Sequence, residues 1–139
     1  MIQIIPPQRT SDKHGSGHFG ASRGSRKHNG VDLACYPGSY VTSHVDGEVT
    51  KLGYPYAKHL EYRYVEITDH AKLKHRFFYI APFLEEGDHV VAGSIIGASQ
   101  ELGRLYDGIT EHIHYEIKDQ AGNYINPNDY LITYINLDR

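Results

Sequence analysis

The 139-residue chain is 40% hydrophobic and 22% charged and carries a formal net charge of −3, a composition that fits one globular domain and excludes a disordered chain. The negative charge gives no electrostatic basis for binding nucleic acid or an anionic membrane surface, so neither is an expected partner. No apolar run approaches the ~20 residues of a membrane span, so we expect no transmembrane helix.

The first 27 residues are rich in Gly, Ser, Lys and Arg and are predicted to form an irregular N-terminal arm. The opening MIQIIPPQRT lacks the basic start and long apolar core of a signal peptide. Cys35 is the single cysteine, and its expected role is a small buried apolar residue rather than a nucleophile or metal ligand. We therefore expect a protein made in a reducing bacterial cytoplasm, with release by cell lysis or as part of a particle. The remaining residues, 28–139, are predicted to form one mainly β domain with an antiparallel sheet and long loops.

The first strands of this domain are indicated by turn signals and by alternation. Residues 41–44 and 47–52 would pair as a hairpin at Asp46-Gly47, because Asp-Gly is a strong hairpin signal. Residues 62–68 alternate as a half-buried strand, and residues 76–80 form a second, aromatic strand.

The later strands follow a turn at residues 86–88. Residues 89–99 contain two short apolar strands, HVVAG and SIIGAS, and residues 112–118 alternate as HIHYEIK. A turn at residues 120–123 leads into YINP. Only residues 128–136 have helical potential, which their β-branched and aromatic side chains weaken.

Two short motifs could carry chemistry, His28-x-x-x-Asp32 and His112-x-His114. Side chains alternate between the two faces of a strand, so the two histidines of the second motif point the same way. Two imidazoles, one carboxylate and one water make a tetrahedral zinc site whose water can attack a peptide carbonyl. Neither motif is specific by itself, because a His-x-His pair is often only a polar feature of a solvated strand.

The surroundings and the order of the motifs strengthen this interpretation. The run HNGVD, from His28 to Asp32, resembles the H-x-G-[IV]-D motif of the lysostaphin-type zinc endopeptidases, and EHIHYEI resembles their closing H-x-H-[FY]-E motif. Between these motifs, PGSYVTSHVDGEV and EEGDHVVAGSIIG are similar to two further stretches of that family. Asn126-Pro127 resembles the N-P that follows. The resemblance runs from about residue 24 to residue 131 and implies the fold of this family.

The resemblance also implies roles for individual residues. The zinc ligands would be His28, Asp32 and His114. His112 would be the general base, or would orient the water and stabilise the oxyanion. Glu116 would either orient a ligand histidine or simply face solvent. The implied protein is a monomeric endopeptidase, such as a phage or bacterial endolysin, that cuts the stem peptide or cross-bridge of peptidoglycan in the cell wall.

One position departs from the family pattern. The family has a second catalytic histidine in a Y-x-H-L stretch, and the matching RFFYIAPF has Tyr79 at that position. Tyr79 would either donate a hydrogen bond to the oxyanion or fill space and block the open position of the metal. His75 lies four residues earlier and would reach the site only through a β-bulge.

The same stretch indicates a second resemblance. FYIAP and the arm DKHGSGHFGASRGSRKHNGVDLAC, including Cys35, are similar to the leukocyte cell-derived chemotaxin branch. That branch keeps the fold and the zinc ligands but lacks the full catalytic set and is considered non-enzymatic. An alternative function is therefore a weak or inactive zinc-binding module that holds a peptide or glycan, although the retained His112 favours an enzyme. A third interpretation, without metal, is a pH-sensitive structural subunit.

The remaining histidines are predicted to lie outside the metal centre. His14 and His18, in the arm, would close over the groove or bind stray metal. Four others are predicted on the surface: His44, His59, His70 and His89.

Overall fold

The computed structural model describes residues 9, 11–12, 15–17, 19–23, 26–128 and 130–131. Across these residues the protein is nearly all strand, which confirms the mainly β, antiparallel fold class. The arm and the first part of the domain contain β1 (Ser11–Asp12), β2 (Gly15–Ser16), β3 (Ser22–Arg23), β4 (Arg26–Lys27), β5 (Val31–Ala34), β6 (Tyr40–Thr42) and β7 (Gly47–Gly53). The rest contains β8 (Tyr64–Thr68), β9 (Lys74–Phe78), β10 (Ile80–Pro82), β11 (His89–Val90), β12 (Ile95–Ser99), β13 (His112–Lys118) and β14 (Tyr124–Ile125).

The larger of the two main sheets has the order β11-β7-β8-β9-β13-β14, and β5 also pairs with β13. β13 spans the predicted residues 112–118 and is central to this sheet, with β9 on one edge and β5 and β14 on the other. Its alternation predicts one apolar and one polar face, and its apolar residues Ile113, Tyr115 and Ile117 are all at most 2% exposed.

The smaller sheet has the order β10-β12-β6 and shows that the predicted hairpin at Asp46-Gly47 is wrong. β6 pairs with β12, whereas β7 pairs with β8 and β11. The Asp46 carboxylate accepts a hydrogen bond from the Ala92 N–H over 2.7 Å. A Cβ on Gly47 would lie 2.4 Å from the Thr68 carbonyl oxygen, so glycine is needed for close contact with β8. The Asp-Gly step therefore carries the chain from one sheet to the other.

The predicted strand over residues 76–80 is interrupted at Tyr79. This residue has a φ of 71°, in the left-handed region that residues other than glycine rarely adopt. Its N–H donates to the Arg63 carbonyl over 2.8 Å, and its carbonyl accepts from the Gln100 N–H over 2.8 Å. These bonds hold the residue where the chain leaves β9 in the large sheet and enters β10 in the small one.

One hydrophobic core joins the two sheets, since buried residues of both belong to the same cluster. Phe77 and Tyr115 are fully buried at its centre, with their rings stacked 4.8 Å apart. His44, predicted on the surface, is only 5% exposed and packs against both rings. The prediction was wrong because the crossing between β6 and β7 passes through the core rather than over it.

The ends of the chain are described in part. The predicted irregular arm contains two short two-stranded sheets, β1–β2 and β3–β4, and the boundary at residue 27 stays a prediction. Of the predicted helical segment, residues 128, 130 and 131 are helical and the others lie outside the described residues. No helix among the described residues is long and apolar enough to cross a membrane.

Candidate metal centre

The centre of the candidate site is the register pair Asp32 and His114, on adjacent strands β5 and β13. The Asp32 N–H donates to the Gly17 carbonyl over 2.9 Å, and its carbonyl accepts from the Arg9 N–H over 2.7 Å. Because these groups point away from β13, Asp32 and His114 form a non-hydrogen-bonded pair, the kind whose side chains lie closest together. Gly30 permits the approach, since a Cβ there would lie 2.3 Å from the Tyr115 carbonyl oxygen.

Three potential ligand atoms form a small triangle at this pair. His28 Nε2 lies 2.9 Å from His114 Nδ1 and 3.1 Å from Asp32 Oδ1. The distance between His114 Nδ1 and Asp32 Oδ1 is 3.0 Å. These three residues are the predicted metal ligands, and the structure brings them together as a group that could hold a metal ion. A tetrahedral zinc ion with bonds of about 2.0–2.1 Å needs donors about 3.3 Å apart, so the donor types and their spacing both fit zinc.

The electrostatics of the triangle favour a cation. Burial opposes the charged form of Asp32, but hydrogen bonds with His114 and His28 outweigh it and hold the pKa of this carboxyl well below its usual range. Burial also disfavours a charged His114, but the carboxylates of Asp32 and Glu116 outweigh this effect and raise its pKa to about 9. A positive charge at this point, on a proton or a metal, is therefore stabilised by two carboxylates.

A row of charged side chains crosses the sheet behind His114. The Nε2 of His114 lies 2.9 Å from Glu116 Oε1, which favours the tautomer with a proton on Nε2 and a lone pair on Nδ1. Glu116 Oε2 lies 3.5 Å from Arg76 Nη1, and Arg76 Nε donates to Glu66 Oε2 over 2.8 Å. Glu116 is 6% exposed, so the expectation that it faces solvent is wrong and the expectation that it orients a histidine is the one supported.

His112 lies next to the triangle but is oriented differently. Its Nδ1 is 2.6 Å from the Thr110 carbonyl oxygen, an acceptor that requires a proton on Nδ1. In the neutral ring the lone pair is then on Nε2, which faces Asp32 Oδ2 at 3.4 Å. Burial lowers the pKa of His112 and so favours this neutral form.

Tyr79 faces His112 across the site and belongs to a chain of phenols. Tyr106 donates to the Tyr56 hydroxyl over 3.0 Å, and Tyr56 donates to the Tyr79 hydroxyl over 3.2 Å. The Tyr79 hydroxyl therefore accepts from Tyr56 and can donate its own proton to another acceptor. Burial raises the pKa of Tyr79 to about 12, so the phenol keeps that proton at neutral pH.

These groups open onto a cavity of about 420 Å³. Its walls include Pro55 and Tyr56, from the connection before β8, and Tyr106 and Ile109, from the connection before β13. Arg9 also lines it. The sequence reasoning did not single out Arg9, Tyr56 or Tyr106, because all three lie in connections or in the arm, outside any periodic pattern. For Tyr56 and Tyr106 the only signal in the sequence was the high number of tyrosines, twelve in all.

The other candidate residues lie elsewhere. His75 is fully buried on the core side of the sheet, where its ring nitrogens lie 2.7 Å from the Tyr115 hydroxyl and 2.8 Å from Asp69 Oδ2, so no bulge brings it to the site. Cys35, expected to be buried, is only partly buried and packs against the core. The histidines predicted on the surface, other than His44, are exposed or half-buried: His59, His70 and His89. His14 and His18 lie outside the described residues.

Comparison with known proteins found a matching family and similar sequences. The model of the family described as Peptidase family M23 matches residues 26–127. The chain is 32% identical over 128 residues to leukocyte cell-derived chemotaxin-2 of Mus musculus, with 88% of this chain and 78% of the relative covered. It is 34% identical over 124 residues to the Bos taurus protein of that name, with the same shares covered.

Solved structures show the same fold. The catalytic domain of the prophage-encoded M23 protein EnpA from Enterococcus faecalis matches with a TM-score of 0.67 at 21% identity, over 91% of this chain and 94% of that one. The catalytic domain of lysostaphin from Staphylococcus simulans matches with a TM-score of 0.68 at 20% identity, over 85% and 89%. Both resemblances that the motifs indicated, to the lysostaphin type and to the chemotaxins, are therefore confirmed.

Proposed function

The chain belongs to peptidase family M23, and from this membership we propose that it is a zinc-dependent endopeptidase that hydrolyses a peptide bond in the stem peptide or cross-bridge of peptidoglycan. The observation that carries the proposal is the triangle of His28 Nε2, Asp32 Oδ1 and His114 Nδ1, with sides of 2.9–3.1 Å, on a cavity lined by His112. The triangle offers three donors and leaves one side open to substrate.

His28, Asp32 and His114 would hold the ion through those three atoms. Zinc bound in this way supplies a Lewis acid for a carbonyl oxygen and lowers the pKa of a water molecule. Glu116 favours the tautomer of His114 with the proton on Nε2, which would leave the lone pair of Nδ1 available to the ion.

The chemistry of the chain itself is carried by His112 and Tyr79. The Nδ1–H of His112 is committed to the Thr110 carbonyl, so Nε2 accepts the proton of the attacking water and can return it to the leaving amine. The Tyr79 hydroxyl, protonated and supplied with a donor by Tyr56, donates a hydrogen bond to the developing oxyanion. Tyr79 would thus take the role of the second catalytic histidine.

The test is digestion of purified peptidoglycan by the zinc-loaded chain, with the released fragments identified by mass spectrometry. His112→Ala and a chelated sample are the matched controls. Release of peptide fragments that depends on both zinc and His112 is expected, and the fragment masses identify the bond. Absence of release from peptidoglycans with glycine bridges and with direct cross-links, with zinc bound, would refute the endopeptidase.

The second candidate is a zinc-binding module that holds a peptide or glycan without cutting it. Two observations favour it: Tyr79 stands where the family has a histidine, and the curated relatives include the chemotaxins. Binding of soluble muropeptides without turnover would support this candidate. Metal analysis after chelation and dialysis separates both from a metal-free structural subunit, which would bind no stoichiometric zinc.

For the setting of the activity, we propose a bacterial or phage-encoded monomer that reaches the cell wall after lysis or as part of a particle. The prophage-encoded EnpA domain of the same fold supports this setting. Immunodetection of the chain in lysates, culture medium and purified particles tests it.

A further inference from the structure

The guanidinium of Arg9 reaches the candidate metal centre from the N-terminal arm. Its Nη1 donates to Asp32 Oδ2 over 2.8 Å, and Arg9 is only 2% exposed. The other carboxylate oxygen, Oδ1, belongs to the ligand triangle. The two oxygens of Asp32 therefore have different surroundings: Oδ2 accepts from the buried guanidinium and lies 3.4 Å from His112 Nε2, whereas Oδ1 faces His28 and His114.

The backbone delivers this guanidinium to a defined place. The Arg9 N–H donates to the Asp32 carbonyl over 2.7 Å, and the Gly17 carbonyl accepts from the Asp32 N–H over 2.9 Å. The arm thus pairs with the outer edge of β5 through both the N–H and the carbonyl of Asp32. Gly17 is required for this contact, since a Cβ there would lie 2.6 Å from the Arg9 carbonyl oxygen and 2.7 Å from its Cβ.

We propose that Arg9 is a positioning residue that limits Asp32 to coordination through Oδ1, and so keeps the open side of the metal free for substrate. The inference rests on the proposed function, since it concerns the zinc ion that Asp32 would bind. A carboxylate can bind a metal through one or both oxygens. A charge-assisted hydrogen bond on Oδ2 disfavours binding through both oxygens. Although Arg9 lines the cavity, it is only 2% exposed and its Nη1 donates to Asp32, so we expect it to act through Asp32.

Zinc affinity tests the inference independently of hydrolysis. Zinc competition between the apo-protein and a chromogenic chelator would be measured for the wild type, Arg9→Gln, Arg9→Lys and the control Arg104→Gln. Arg104 pairs with Glu101 on the surface and is 83% exposed, so its replacement should leave affinity unchanged. We expect Arg9→Gln to weaken zinc binding roughly 10- to 100-fold, the range typical of residues that orient a metal ligand, because the lost orientation of Oδ1 outweighs the contact that Oδ2 gains. Arg9→Lys should recover part of this loss, because it keeps the charge but not the planar fork.

Coordination geometry separates positioning from a general effect on folding. The visible absorption of Co²⁺ in the same site reports coordination number, and it weakens when a fifth or sixth ligand turns a tetrahedral site into a higher-coordinate one. We expect Arg9→Gln to lose visible intensity per bound Co²⁺, because the freed Oδ2 becomes a ligand, and Arg9→Lys to resemble the wild type. Identical Co²⁺ spectra for Arg9→Gln and the wild type, or zinc affinities within twofold, would overturn the inference alone. No zinc binding by the wild type would overturn the proposed function and the inference together.

Discussion

The ring of Tyr79 stands edge-on to the ring of His112, with centroids 5.8 Å apart and an interplanar angle of 84°. His112 lies on the regular strand β13, whereas Tyr79 has a left-handed backbone conformation between the two sheets. Both nevertheless line the same cavity. Tyr79 is the position at which the sequence motifs depart from the family pattern and His112 matches it, so this pair is the best place to test what the departure does.

Replacing Tyr79 with histidine should raise the rate of peptidoglycan hydrolysis several-fold. Histidine tolerates the left-handed conformation better than most residues and would supply the imidazole of the family pattern. Tyr79→Phe removes the hydroxyl donor and should lower kcat by about 10²-fold, the usual effect of losing one oxyanion donor. Release of labelled peptide measures both rates. No gain for Tyr79→His, with zinc bound normally, would indicate that other parts of the groove have been lost as well.

Tyr56→Phe tests the phenol chain without touching the metal or its ligands. The variant loses the hydroxyl that donates to Tyr79 and accepts from Tyr106. It should lower kcat, leave zinc affinity unchanged and cost about 1 kcal/mol in the free energy of unfolding. Tyr54→Phe is the control, because Tyr54 is 51% exposed and does not line the cavity. Equal kcat for the two variants would show that the chain of phenols has no catalytic role.

Glu116→Gln should weaken zinc binding roughly 10- to 100-fold, because a neutral amide no longer fixes the charged or tautomeric state of His114. The exposed Glu61→Gln is the matched control and should bind zinc as the wild type does. Chelator competition measures both affinities. An unchanged affinity for Glu116→Gln would mean that Asp32 alone is enough to orient His114.

Stability should fall as the pH drops below neutrality, partly through His44. Burial lowers the pKa of His44 to about 4, and the charge of His75 acts in the same direction. The unfolded chain binds a proton near pH 6.5 and the folded chain only near pH 4, so the stability present above pH 6.5 is lost as the pH falls through this window. The full loss from this one group is about 3 kcal/mol.

The measurement is the free energy of unfolding in urea at pH 7 and pH 4.5, with chelator present in all samples. In His44→Phe, which keeps a ring packed against Phe77 and Tyr115, the pH dependence should be smaller than in the wild type. Parallel pH curves for the two proteins would contradict the assignment.

The strands could be anticipated because strand alternation is a local rule, and it places His112 and His114 on one face. The choice of His28, Asp32 and His114 as ligands was implied by the resemblance to the lysostaphin-type motifs, because the spacing of the two short motifs is not specific by itself. The hairpin at Asp46-Gly47 was wrong because local turn chemistry cannot report which sheet the next strand joins. His44 was misplaced for the same reason.

Arg9 illustrates the other limit. It meets Asp32 across 23 residues of sequence, through an arm without hydrophobic periodicity, and its position is fixed by its backbone bond to Asp32 and by the close contact at Gly17. Nothing in the spacing of the motifs could indicate this partner. The roles of the metal ligands, of His112 and of Tyr79 stay predictions until the measurements above are made.

The metal triangle and the walls of the cavity come from different parts of the chain. The triangle draws on β13, on β5 and on His28 just before it, whereas the aromatic walls belong to the connections before β8 and before β13. Insertions or exchanges in those connections can therefore alter what the cavity admits while the ion-binding scaffold is inherited intact. For protein engineering, such loop grafts are the route to a new specificity, and a graft should retain Arg9 and Gly17 together with β5.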